Sequence, residues 1–218
     1  MTGPAAAGPH VVAIGGGHGL AMLLKAVRTY AGRVTAIVAT GDDGGSSGRL
    51  REDIHMPAPG DLRRCLTSVS PHHELAEALE HRFQEGDLAG HAVGNLVLAG
   101  LVDAGHDLAG AAAHLSRWLG LDPAEMQVLP ATEVPVDLVA ETVDGTVRGQ
   151  VEIEGAGRLV HIGIDPADPP VPVAATEALA AADQIVLGPG SFYTSVLAPA
   201  VVPRIRDCIA ERRGRFVY

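Results

Sequence analysis

Five short stretches carry the residue types that chemistry needs. The first is Gly15-Gly16-Gly17-His18-Gly19-Leu20, set between an apolar run and a segment of helical spacing. Main-chain N–H groups at a helix start have no intrahelical acceptor, and the helix dipole adds partial positive charge there. Glycines let an anion approach that backbone closely. Gly15, Gly16, Gly17 and Gly19 are therefore expected to hold the phosphates of a nucleotide-containing ligand. The turn is not a Walker loop, because no Gly-Lys-Ser/Thr follows. Leu20 stands where the dinucleotide fingerprint needs its third glycine. His18 has two readings, a phosphate contact or a cap of the helix.

The second stretch is Asp42-Asp43-Gly44-Gly45-Ser46-Ser47-Gly48-Arg49-Leu50-Arg51. Asp42 and Asp43 suit ribose hydroxyls or a hard cation such as Mg²⁺. Ser46 and Ser47 offer hydroxyls, and Arg49 and Arg51 offer planar forks that match phosphate. In the third, Pro59 to Cys65, Asp61 either caps a helix or enters the site. Arg63 faces either ligand or solvent, and Cys65 reads as core. In the fourth, His91 and Asn95 are four apart on one helix face. They are either ligand contacts or a buried hydrogen-bonding pair. In the fifth, Gly188, Gly190, Ser191 and Thr194 repeat the pattern of strand, glycine turn and helix start. Ser191 there is an N-cap or a ligand contact.

The intervening elements must position these groups. Residues 10–14 (HVVAI) read as a buried strand, 20–30 as a helix stopped by Gly32, and 34–39 as a second strand. Residues 40–48 read as a loop at the carboxyl end of that strand, and 49–60 as a short basic segment broken by prolines. Helices are expected over 61–69, 72–84, 91–104 and 107–119. Strands follow at 127–130 and 136–143, then a turn at Asp144-Gly145, a returning strand at 146–153, and another at 159–164. A helix over 176–182, a strand over 184–187, a helix after Ser191 and a helix over 201–211 complete the pass. The pattern predicts an α/β fold. It is a Rossmann-like, doubly wound, mostly parallel sheet with a helical insertion and a β-hairpin.

Bulk properties narrow the classes. The 218 residues are 47% hydrophobic, enough for one substantial core, with a net charge of -10 that repels nucleic acid at long range. Cys65 and Cys208 have no partner motif, so neither zinc nor a disulfide framework is implied. No apolar run has the length of a membrane span, and the cytoplasm is the expected location. Residues 1–9 are expected to be disordered, and 10–218 to form a single domain. The apolar run from Arg215 to Tyr218 suggests a domain incomplete at its C-terminus.

Taken in order, GGGHGL, DDGGSSGRLR, PGDLRRCL, GHAVGN and LGPGSFYTS resemble the YvcK branch of the CofD-like family, the gluconeogenesis factors. The resemblance runs from about His10 to Tyr218. It implies a Rossmann-like sheet with an added helical region. It also implies a regulatory protein that binds a nucleotide-sugar, UDP-N-acetylglucosamine or one like it. Such a protein is linked to cell-wall synthesis, cell shape and growth on gluconeogenic carbon sources. Implied partners are cell-wall synthesis or regulatory proteins, and a homo-oligomer is expected. The enzyme branch implies an alternative, a Mg²⁺-dependent phospholactyl transferase with a nucleotide-activated donor and acidic loop residues where Asp42 and Asp43 stand. A third reading is an NAD-binding protein, with Asp42 at the place of a ribose-binding acid.

Overall fold

The strand His10–Gly15 (β1) is buried from Val11 onward, as its small and β-branched residues require of a central parallel strand. Arg33–Val38 (β2) pairs in parallel on one side and Gln184–Leu187 (β7) on the other. Met126–Pro130 (β3) adds beyond β2 and Arg215–Val217 (β8) adds beyond β7, giving the order β3-β2-β1-β7-β8. The computed structural model describes residues 8–211 and 215–217. Most of the expected disordered start, residues 1–7, lies outside that range. Pro9 accepts main-chain bonds from Gly32 and Arg33.

Helices cover both faces, because successive β1 side chains point to opposite sides. Val11 and Ala13 join a core with Gly17–Val27 (α1) and a helical insertion between β2 and β3. The insertion comprises Gly45–Ile54 (α2), Gly60–Ser68 (α3), His73–Glu80 (α4), Val93–Asp103 (α5) and Leu108–Trp118 (α6). Asp107 starts α6 as a side-chain cap, its carboxylate accepting the Gly110 N–H at 2.6 Å. Val12 and Ile14 face the other core, with Ala178 and Leu179 of Val173–Ala181 (α8) and Ile205 of Pro203–Ala210 (α10). Each such aliphatic burial stabilises the fold by roughly 1.5–3 kcal/mol.

A second, antiparallel sheet contains Asp137–Thr142 (β4), Gly145–Arg148 (β5) and Leu159–Asp165 (β6), ordered β5-β4-β6. The Asp144-Gly145 turn joins β4 and β5 as expected. The returning strand does not reach residue 153. It stops at Arg148, and Gln150–Gly155 forms a short helix (α7). The cause is distant in sequence: an Asp43 carboxylate oxygen accepts the Val151 N–H at 3.2 Å, satisfying an amide of the first turn. After β7 the chain winds into a π-helical turn over Phe192–Leu197 and a short turn, Ala198–Ala200 (α9). Residues 45–54 also depart from the sequence reading, which made them loop and broken segment. They are helical because Ser46, Ser47 and Leu50 all find burial on one side.

The turns after β1 and β7 touch. The Gly188 N–H donates to the Ile14 carbonyl at 2.8 Å, and a Cβ on Gly19 would run into the Pro189 carbonyl oxygen. Gly19 is a glycine for close approach of two backbones. Gly19→Ala should cost about 1–3 kcal/mol in urea unfolding, the range for overpacking. Gly157→Ala, in open space, should cost well under that. Equal stability of the two variants would refute the assignment.

Candidate functional site

In open parallel sheets the ligand crevice lies beyond the carboxyl ends of the strands, where strand order reverses. Here that point is between β1 and β7, and the turns after β1, β2 and β7 form its rim. All five chemistry-bearing stretches converge on it or on the helices directly behind it.

At the start of α1 the expected anion position is filled by the protein itself. Asp61, from α3, accepts the Gly17 N–H at 2.6 Å through Oδ2. Its other oxygen accepts from Arg64 Nη1 at 2.8 Å. A Cβ on Gly16 would come within 2.7 Å of that carboxylate, so Gly16 is bare to admit it. Asp61 therefore does not cap its own helix, whose N-cap position is Pro59. Burial pushes its carboxyl above the ordinary value of 3.8, Arg64 pulls it down, and Asp42 adds repulsion. His18 is exposed and is not the cap, which falls at Gly16. Gly15 is the last residue of β1.

The start of α2 is different. Gly44 is its N-cap residue, in extended conformation and without a side-chain cap. The first turn of α2, Gly45 to Ser47, thus begins at the carboxyl end of β2 behind a glycine that supplies no side-chain cap. Asp42 accepts the Gly44 N–H at 3.0 Å and shapes this turn. Asp42 and Asp43 do not form the expected cation pair, because Asp43 turns to α7. Among the described residues, no group of three or more His, Cys, Asp or Glu side chains stands ready to hold a metal. Mg²⁺ commonly uses one or two carboxylates plus substrate phosphates, so Asp42 with a nucleotide's phosphates fits such an ion, whereas the pair does not.

Behind α2 runs a buried polar chain. Ser46 Oγ bonds His91 Nδ1 at 3.0 Å and accepts from Asn95 Nδ2 at 3.0 Å. Asn95 Oδ1 accepts from Arg63 Nη1 at 3.1 Å, and Arg63 donates through Nε and Nη2 to Glu80, each at 3.1 Å. Thr67 closes the chain on Glu80 at 2.5 Å. Arg63 is only 1% exposed, so it faces neither solvent nor an open ligand site. His91 and Asn95 are the buried pair, joined through Ser46, and His91 precedes α5 rather than riding on it. Burial and Arg49 hold the His91 imidazole below its usual value, consistent with a neutral ring accepting from Ser46.

Arg49 donates to the Ala89 carbonyl at 2.7 Å. Arg51 donates to the Val136 carbonyl at 2.8 Å and to Asp137 at 2.7 Å, and so leaves the phosphate turn. Thr194 is buried and donates to Glu154 at 2.8 Å. Gly188 and Gly190 shape the turn after β7, and exposed Ser191 supplies no side-chain cap. Cys65 is buried, and desolvation raises its thiol far above the usual value. Sequence reasoning missed Arg64, Glu80, Asp137 and Glu154. The i, i+3 spacing of Asp61 and Arg64 was the one available signal.

Two measurements check this geometry. Asn95→Ala leaves Arg63 and Ser46 short of partners and should cost about 1–3 kcal/mol in urea unfolding. The protonated Asp61 is favoured by the folded state. Its contribution is complete below 3.8 and is lost as pH rises through the raised value. The stability of the wild type relative to Asp61→Asn should therefore fall as pH rises from 3.8 through the raised value, and a rise would contradict the burial argument.

Residues 11–218 match the family described as 2-phospho-L-lactate transferase CofD. A gluconeogenesis factor of Halalkalibacterium halodurans is 42% identical over 213 residues, covering 96% of this chain and 65% of that protein. A gluconeogenesis factor of Bacillus subtilis is 39% identical, covering 96% and 67%. A relative from Nostoc is 44% identical, and this chain spans 46% of its length. The crystal structure of a Bacillus halodurans protein superposes with a TM-score of 0.91 at 40% identity, covering 97% of this chain and 68% of that one. This chain therefore belongs to the CofD family.

Proposed function

We propose that the chain is the nucleotide-binding part of a regulatory protein whose ligand is a UDP-sugar such as UDP-N-acetylglucosamine. Its physiological setting would be growth on gluconeogenic carbon and control of cell-wall synthesis and cell shape. The kinship with gluconeogenesis factors supports the gluconeogenic setting. One observation carries the binding site: α2 opens at the crevice behind a glycine N-cap with no side-chain cap, while at α1 the Gly17 N–H is already taken by Asp61. Phosphates would then sit at α2, not at the Gly15–Gly19 turn. No helix among the described residues is long and apolar enough to cross a membrane.

The description of the matched family favours a second reading, a Mg²⁺-dependent transfer of a phosphorus-containing group. Asp42 would then share the ion with the donor's phosphates. The two readings separate in one thermal-shift panel of UDP-N-acetylglucosamine, other nucleotides and NAD, with and without Mg²⁺. UDP-N-acetylglucosamine at a hundred times its dissociation constant should stabilise the protein by about 2.7 kcal/mol, with or without a chelator. Stabilisation that vanishes with chelator, together with product formed on a deazaflavin acceptor, would support the transferase. Stabilisation by NAD alone would overturn both.

A further inference from the structure

We propose a second ligand site, for the phosphate group of a small molecule, in the cavity between the C-terminal ends of α1 and α3 and the start of α4. The cavity measures about 630 Å³, within the range of small-molecule sites. Lys25, Arg28 and His73 line it and no carboxylate does, in a chain whose net charge is -10. Cations gathered in a concave setting focus the field on an incoming anion, whatever the charge of the whole chain. Lys25 is the one lysine of the sequence, and it makes no hydrogen bond or ion pair among the described residues. Arg28 gives Nη1 to the Val69 carbonyl at 2.5 Å, which holds the guanidinium against the end of α3 and leaves Nε and Nη2 for a ligand.

These donors match phosphate in kind. Arg28 brings part of a planar fork, Lys25 a point charge, and the His73 imidazole at least one N–H. Helix α4 begins behind His72, which supplies no side-chain cap, so its dipole adds to the same field. The hydroxyls of Thr29 and Ser68 donate to the Ala26 and Cys65 carbonyls. What they offer a ligand is therefore a lone pair, which suits a hydroxyl of a phosphate monoester. The nearest acids belong to other cavities: Glu77 and Glu80 line the one that holds His18 and Arg64, and Glu74 lines a third. Lys25 and Arg28 lie eight and eleven residues beyond Gly17. That is about 12–17 Å along α1 from the crevice, so the site stands apart from the nucleotide reading above.

The test is site-resolved amide NMR of this chain, titrated with inorganic phosphate and with glycerol 3-phosphate against chloride at matched ionic strength. The amides of Thr29, Ser68, Ser70 and His73 should shift saturably, with a dissociation constant of about 10 mM or tighter. The double variant Lys25→Gln/His73→Gln replaces two exposed side chains, so the rest of its spectrum should overlay that of the wild type. Its affinity at the four amides should fall at least about fivefold. Tighter binding of glycerol 3-phosphate assigns the site to a phosphate monoester, and tighter binding of inorganic phosphate assigns it to the free ion. No saturable shift at those amides, or one that the double variant leaves unchanged, would overturn the proposal.

Discussion

The carboxylate of Asp61 meets the first helix where an incoming anion would be expected to sit. It accepts the Gly17 amide and so ties α3 to α1. A buried carboxylate is costly, and Arg64 and the helix start offset part of that cost without cancelling it. The consequence reaches the function. With the Gly17 amide of α1 held internally, the neighbouring terminus, α2, is the one proposed to take phosphate at the reversal of strand order.

The start of α2 is also the best supported part of the rim. Ser46 anchors it to His91 and Asn95, and through them to Arg63, Glu80 and Thr67. Networks of this kind fix geometry when every member is satisfied. From the other side, Arg51 and Asp43 join α2 and its leading turn to the small sheet and α7. A ligand bound at α2 would thus touch an element braced by both the helical insertion and the antiparallel sheet.

Much of the fold was legible in the sequence. The strand runs at 10–14 and 34–39, the glycine turns and the Asp144-Gly145 hairpin each follow from local residue chemistry, and all are present. The failures have a common physical origin. Helix α2 looked like loop because its opening residues are glycine and serine, and its stability comes from burial against the insertion. Helix α7 looked like strand because the group that satisfies its first turn, Asp43, is over a hundred residues away. Site residues were found by type but not by role. Arg63, His91, Asn95 and Thr194 carry the chemistry of ligand contacts, yet each is committed to an internal partner. Local spacing does not reveal which partner a polar side chain will reach.

The central claim is that phosphates bind at the start of α2 and not at the start of α1. Amide chemical-shift mapping during a titration with UDP-N-acetylglucosamine reads this directly. The amides of Gly45, Ser46 and Ser47 should move most, while that of Gly17, held by Asp61, should stay nearly fixed. Large shifts at Gly17 to Gly19 with Gly45 to Ser47 unmoved would contradict the account.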